Sequence, residues 1–498
     1  MVYSLNRYKS MCIAVLFIIS VVAIISAYHT SGVGWDFLSR YLNGRTLSNN
    51  FYGIQNVFAN KIPINVTVQG VNKIVYVSPA LTVSKNFYFD VVWEPLTSFI
   101  IAIFIILIRG AALQAYLIFL LILLLIASLV AAKKFDLDPL MLYSIFMSPF
   151  VIGTTILYNG GPILGLCLGI ITVAFAVKKS YKAGIFLGLS GLAKYDSLII
   201  SPLLFLLGDK EKTLKAIILS IIVTIPWLLF NFFLFGNPLQ SYLVSLNEIQ
   251  PQGIGIIGLL SLLSKILWYP LILFIIATMI FVYLSHESLF SIKQINKKIL
   301  KDQRSLIIIS FLLLAFAGFL FVYNKAQDRL QLGYLLYAGM ALVAAVTLNS
   351  KKVTSIKLKI GKLHYQSGQI IPYLIFIFSL ILLLNLYAGW SHINFNVLGS
   401  LGSKDIEFIN SVNALAIHNL INCSIVSNAW PYLNYYNVTT YAPYNCNSTM
   451  KHMPIVIFQN QGVQNYCNTT ITNISNISQI FSYPNFSIYL PKNYICEK

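Results

Sequence analysis

Charged side chains make up only 10% of this 498-residue chain, so the few that border or interrupt its apolar runs are the first candidates for chemistry. Asp36 is the first acidic residue. It lies in Gly34-Trp35-Asp36-Phe37-Leu38-Ser39-Arg40-Tyr41-Leu42-Asn43-Gly44, just after an apolar run over 11–28. A carboxylate at a membrane surface can take the proton of an acceptor hydroxyl; a helix cap or a salt bridge to Arg40 is the structural alternative. Asp90 and Glu94 stand four apart in Tyr88-Phe89-Asp90-Val91-Val92-Trp93-Glu94-Pro95-Leu96 and would share a helix face. They can support an acceptor or a divalent ion, but a solvated face, or a helix start at Pro95, is the favoured reading. Lys194 and Asp196 interrupt the apolar stretch 183–207. Lys194 can bind a phosphate, snorkel to the interface or pair with Asp196, and Tyr195 beside it is a substrate-side candidate. Arg329 closes Tyr323-Asn324-Lys325-Ala326-Gln327-Asp328-Arg329, and Arg40, Lys85 and Arg109 are further cations in the first loop. Arg can bind a phosphate bidentately. Asn159, in Leu157-Tyr158-Asn159-Gly160-Gly161-Pro162, can hydrogen-bond a sugar but cannot serve as a base at ordinary pH.

These residues need apolar elements to hold them. The chain is 57% hydrophobic, whereas a soluble chain carries about a quarter charged residues, so the fold class is an α-helical polytopic membrane protein. Eleven spans are expected, near 11–28, 111–131, 139–157, 162–177, 183–193, 196–207, 214–235, 264–284, 306–322, 334–348 and 371–389. Splitting 183–207 in two relieves the cost of a central charge, roughly 2.5–3.5 kcal/mol on insertion scales. With the N-terminus inside, the basic clusters at Arg7 and Lys9, Lys133 and Lys134, Lys178 to Lys182, Lys210 to Lys215, Lys293 to Arg304 and Lys351 to Lys362 all fall on the cytoplasmic side. The net charge of +19 is explained by these clusters and anionic headgroups, not by nucleic acid. Within the outer loop 29–110, the apolar segment 96–108 reads as a helix lying in the interface.

The sequons supply an independent signal. Asn65, Asn422, Asn437, Asn447, Asn468, Asn473, Asn476 and Asn485 each begin N-x-S/T, and all fall in the first loop or the tail 390–498. The tail also holds Cys423, Cys446, Cys467 and Cys496, an even set that points to two disulfides on an oxidising side, whereas Cys12 and Cys167 lie within apolar runs. A helix near 404–421 and strands at 423–427, 454–458 and 486–490 describe a small extracytoplasmic α/β domain. Residues 1–389 then form the transmembrane domain. Nothing in the sequence requires a cofactor, and no ligand cluster supports a divalent cation.

Several of these segments together resemble the C-type (GT-C) membrane glycosyltransferases. Gly188-Leu189-Ser190-Gly191-Leu192-Ala193-Lys194-Tyr195 is similar to their GLAxLxK segment; Pro226-Trp227-Leu228-Leu229-Phe230-Asn231 with Phe235-Gly236-Asn237-Pro238, the opening WDFLSRYLNG, and the basic run ending at Arg329 also match in order and spacing. The resemblance spans roughly residues 10–390 and is nearest in character to protein O-mannosyltransferases and lipid A aminoarabinose transferases. It implies transfer of a sugar from a polyprenyl- or dolichyl-phosphate carrier to a glycan, lipid or protein acceptor outside, with Asp36 as the first-loop acid and Lys194 and Arg329 on the carrier phosphate. The chain departs from the pattern at Asp36-Phe37, where mannosyltransferases carry Asp-Glu, at Asn159, where an acid is usual, and at Arg329-Leu330, where Arg-Tyr is usual. The Trp-Trp-Asp signature of oligosaccharyltransferases is absent from the sequence. The bias toward Ile, Tyr, Asn and Lys suggests a thermophilic archaeal source. The competing readings are a transporter or flippase of lipid-linked glycans, which needs polar residues within several spans, and a non-catalytic glycosylated scaffold.

Overall fold

The structure, a computed structural model, describes residues 17, 35–49, 62–68, 71–77, 94–108, 112–152, 161–243, 256–285, 303–323, 333–349, 354, 357–360, 363–389, 410–427, 433, 438, 440–441, 453–458, 477–483, 486–491 and 494. Helix α1 (Trp35–Asn49) precedes an antiparallel hairpin, β1 (Ile62–Val68) and β2 (Val71–Val77), in which Asn65 pairs with Ile74. The helical body continues as α2 (Pro95–Ile108), α3 (Ala112–Phe135), α4 (Pro139–Phe146), α5 (Gly161–Val177) and α6 (Ala183–Ala193). A 3-10 helix (Tyr195–Leu207) follows, then α7 (Lys210–Phe235), α8 (Ile256–Ser285), α9 (Gln303–Tyr323) and α10 (Tyr334–Leu348). A second hairpin, β3 (Lys357–Ile360) and β4 (Leu363–Gln366), runs directly into α11 (Ser367–Gly389). Among the described residues, three stretches, Ala115–Phe135, Lys210–Phe233 and Gly258–Met279, are long and apolar enough to cross a membrane by length and composition.

The run expected over 139–157 is not one helix. Asp138 caps α4 by accepting from the backbone N–H of Leu140 (2.9 Å) and Met141 (3.1 Å), with Pro139 at the first helical position. The chain then bends at 147–148 and repeats the device: Ser148 Oγ accepts from the Val151 N–H (3.3 Å), and Pro149 opens the next turn. Two cap-and-proline starts ten residues apart make the chain restart its helix. The break expected in 183–207 does occur. Helix α6 stops at Ala193, Lys194 is extended, and the 3-10 helix begins at Tyr195. Of the run 11–28, the structure describes Phe17, buried with its ring 5.1 Å from Phe376 and 6.0 Å from Tyr143.

Close helix contacts are made by glycines. A methyl group at Gly184 would meet the Ala216 carbonyl oxygen at 1.9 Å, and one at Gly188 the Ser220 oxygen at 2.7 Å, so α6 and α7 pack backbone to backbone. Likewise Gly44 of α1 sits against Ile101 and the Ser98 carbonyl of α2, where a methyl would come within 2.8 and 2.9 Å.

The C-terminal segment has its own apolar core. A helix over 410–417 precedes a five-stranded sheet in the order β6 (Thr440–Tyr441), β5 (Ile425–Ser427), β7 (Ile455–Phe458), β9 (Phe486–Pro491), β8 (Ile477–Tyr483). Strands β6, β5 and β7 are parallel; β9 runs antiparallel to β7 and β8. Leu415, Ile425, Val456, Phe458, Phe486 and Ile488 fill the core. Phe458 and Phe486 are directly paired across the ladder, their rings 5.6 Å apart. The helix ends before the 421 expected, because Asn419, in the left-handed region (φ 58°), ends the turn; residues 404–409 lie outside the described residues. Cys423 is buried and disulfide-bonded; Cys446, Cys467 and Cys496 lie outside the described residues, as does Cys12. Cys167 is free and buried in α5.

Candidate functional site

The glycine contact between α1 and α2 brings together two residues 54 apart in sequence. Arg40, one turn before Gly44, donates from Nη2 to Glu94 Oε2 at 2.9 Å, and Glu94 Oε1 accepts from Lys194 Nζ at 2.6 Å. One carboxylate therefore bridges two cations from distant parts of the chain. Arg40 and Glu94 are 0% and 2% exposed, while Lys194 is 14% exposed. Of the two favoured readings of Glu94, the helix start is the one observed, since helix α2 begins after it at Pro95; the solvated face is corrected, because the carboxylate is buried. Burial pushes its carboxyl pKa up, but the Lys194 and Arg40 charges and their hydrogen bonds push it down further, to about 2. Being held below its ordinary value of 4.5, the carboxylate contributes stability that is full above pH 4.5 and is lost only as the pH falls toward 2.

Helix α5 makes room for this cluster. Its glycines recur every fourth residue, at 161, 165 and 169, and so line one face. A methyl at Gly161 would stand 3.0 Å from Arg40 Cζ and Nε. At Gly165 it would meet Ser197 Oγ at 3.1 Å, Lys194 Cβ at 3.2 Å and Tyr334 Cε2 at 3.2 Å; at Gly169, Leu335 at 3.0 Å. Ser190 of α6 donates to the Gly165 carbonyl at 3.1 Å and fixes the helix end that Lys194 terminates.

Lys194 does not pair with Asp196 in a hydrogen bond, the alternative weighed from sequence. The Tyr334 hydroxyl donates to Asp196 Oδ1 (3.0 Å), and so receives from Ser197 Oγ (2.6 Å). This ties the start of α10 to the 3-10 helix. On the other side, the Tyr195 hydroxyl accepts from Trp227 Nε1 at 2.9 Å. Asn231 Nδ2 donates to the Trp227 carbonyl at 2.8 Å, and Asn231 Oδ1 accepts from the Ser241 N–H at 3.2 Å and from its hydroxyl. The segment from Pro226 to Asn231 thus braces Tyr195 and the chain beyond the Phe235-Gly236-Asn237-Pro238 turn.

Asp36 lies in the first turn of α1, four residues and so about one turn before Arg40. Lys85, Asp90, Arg109, Asn159 and Arg329 lie outside the described residues, as do Asn437, Asn447, Asn468, Asn473, Asn476 and Asn485. Asn422 is exposed in the turn before β5. The structure therefore joins Arg40, Glu94 and Lys194, with Tyr195 alongside. Sequence reasoning missed Ser190, Ser197 and Tyr334; the glycine spacing in Gly161-Pro162-Ile163-Leu164-Gly165-Leu166-Cys167-Leu168-Gly169 was the signal that a close-packed helix stood opposite. Among the described residues, no group of three His, Cys, Asp or Glu side chains gathers as a metal site would require.

No protein-family model and no curated protein matches this chain. In three dimensions it is similar to the crystal structure of ArnT from Cupriavidus metallidurans bound to undecaprenyl phosphate, with a TM-score of 0.56 and 8% identity over 95% of this chain and 97% of ArnT. The apo structure of the same ArnT aligns over the same shares with a TM-score of 0.51 and 10% identity. The chain has the fold of ArnT.

Proposed function

We propose that the protein transfers a sugar from a polyprenyl- or dolichyl-phosphate donor to a glycan, lipid or protein acceptor on the non-cytoplasmic face of a membrane, with inversion at the anomeric carbon. The observation that carries the reading is Lys194, a cation fixed at the gap between α6 and the 3-10 helix and left partly exposed. The fold that holds it is that of ArnT, which was solved with undecaprenyl phosphate. A leaving lipid phosphate gains negative charge as the glycosidic bond breaks, and fixed cations stabilise that charge best when they need no reorganisation.

In this mechanism the acceptor hydroxyl oxygen attacks the anomeric carbon and its proton passes to Asp36. The bond from that carbon to the phosphate oxygen breaks, and the electron pair leaves with the lipid phosphate, whose charge Lys194 and Arg329 compensate. The first loop and residues 390–498 share the outer side, and the C-terminal sheet domain lids the cavity or guides the acceptor. Asn65 and the tail sequons are then open to glycosylation.

The test uses purified protein in lipid nanodiscs with a radiolabelled lipid-phosphate sugar. Asp36→Asn should slow transfer by roughly 10²–10⁴-fold, the usual contribution of general base catalysis; unchanged transfer sinks the base assignment. Movement of the labelled lipid across a liposome bilayer with no new glycosidic bond overturns the enzyme reading and favours a transporter.

A further inference from the structure

The three charged residues of the cluster have unequal access to a ligand. Arg40 is 0% exposed, and its guanidinium is wedged against the start of α5, where even a methyl at Gly161 would stand 3.0 Å from Cζ. Glu94 is 2% exposed and both of its oxygens are taken, one by each cation. Lys194 alone is partly exposed, and an ammonium has three donors, of which Glu94 takes one.

We infer that Glu94 is a positioning residue, anchored by Arg40, that presents Lys194 to the donor phosphate. The ion pairs run in series: α5 fixes Arg40, Arg40 fixes Glu94, and Glu94 fixes Lys194. Arg40, a candidate phosphate ligand on sequence grounds, anchors and does not touch the ligand. A free lysine side chain loses much of its rotamer freedom when it binds an anion; one already held by a buried carboxylate has lost it on folding, which favours binding. The inference rests on the proposed phosphate reading of Lys194, and its test separates the two.

The probe is undecaprenyl phosphate, titrated into full-length protein in nanodiscs, with a thermal melt of each variant as the control for folding. Lys194→Ala should weaken binding by roughly tenfold or more, as loss of a charge-assisted hydrogen bond does. Glu94→Gln keeps one acceptor oxygen but cannot accept from both cations. Arg40 is wedged, so Lys194 is the partner released, and affinity should fall by up to about tenfold, the cost of ordering one long side chain. In a Lys194→Ala background the same Glu94→Gln change should have no further effect, because Glu94 acts only through Lys194. Gly161→Ala, which keeps every charge and pushes the Arg40 anchor, should weaken binding severalfold in the wild type and not in Lys194→Ala; it carries the test if Glu94→Gln does not fold. If Lys194→Ala binds like wild type, the phosphate reading itself falls. If Lys194→Ala weakens binding while Glu94→Gln binds as well or tighter, Glu94 competes with the ligand and the positioning role falls alone. Multiplying losses in the double variant also overturn it.

Discussion

Helices α5 and α6 and helices α7 and α8 are all apolar, yet they treat their surfaces in opposite ways. The first two are short, 17 and 11 residues, and in α5 only Phe175 and Val177 escape full burial. The second two are 26 and 30 residues long, and only 17% and 22% of their most apolar windows are buried. Helices that are hydrophobic all round give hydropathy no face to read. Glycine spacing makes the distinction: α5 has glycines at 161, 165 and 169 and α6 at 184, 188 and 191, while α7 has none. Small residues let backbones approach, and the approach creates a dry interior in which a few polar groups can be held rigidly. Arg40, Glu94, Lys194, Ser190, Ser197 and Tyr334 all cluster there. The buried charged cluster sits on the short, broken helices, and the long ones leave Ile, Leu and Phe exposed.

If this contrast is physical, its largest signature is at Glu94. Glu94→Ala takes the shared acceptor from two cations at once, and removing one member of a buried ion pair costs about 3–5 kcal/mol. Thermal melting in detergent should show a large destabilisation, and a near-wild-type melt would mean that the pairing is not formed. The next effect is at Gly184. Gly184→Val places side-chain atoms where the Ala216 carbonyl already lies 1.9 Å from an ideal Cβ, so α6 and α7 must separate. Overpacking of this kind costs about 1–3 kcal/mol or more. A melt unchanged by Gly184→Val would break the claim that glycines bring these backbones into contact.

The sequence was most legible where a charge or a cap stood within apolar residues. Lys194 marked the break between α6 and the 3-10 helix, because an ionisable group cannot be left in the middle of a span. The strands at 455–458 and 486–491 were visible as short β-branched and aromatic runs. Other elements were hidden for identifiable reasons. The bend at 147–148 depends on Ser148 and Pro149, which are also tolerated within membrane helices. Strand β8 (Ile-Ser-Gln-Ile-Phe-Ser-Tyr) carries a register shift between Gln479 and Phe481, which disrupts its period-two pattern. The burial of Glu94 was not legible because its partners are 54 and 100 residues away. Local spacing pointed to Asp90, and nothing within a helical turn of Glu94 reveals a buried carboxylate.

The smallest expected effect lies on the lipid-facing side and is the sharper check for that reason. Phe233 of α7 is the same size as the core residue Phe146 but is 78% exposed, with Phe232 beside it also exposed. In water such a side chain would favour burial; against lipid it has little to gain from either environment, since acyl chains are as apolar as the protein interior. Phe233→Ala should therefore change stability by no more than about 0.5 kcal/mol, as surface substitutions away from special features do. A buried Phe→Ala costs about 3–5 kcal/mol, so Phe146→Ala, fully buried in α4, provides the matched control. Melting both variants in the same nanodiscs reads the difference directly. A loss at Phe233 approaching that at Phe146 would mean that α7 packs against protein on its outer face, and the division between a buried, chemistry-bearing half and a lipid-facing half would have to be redrawn.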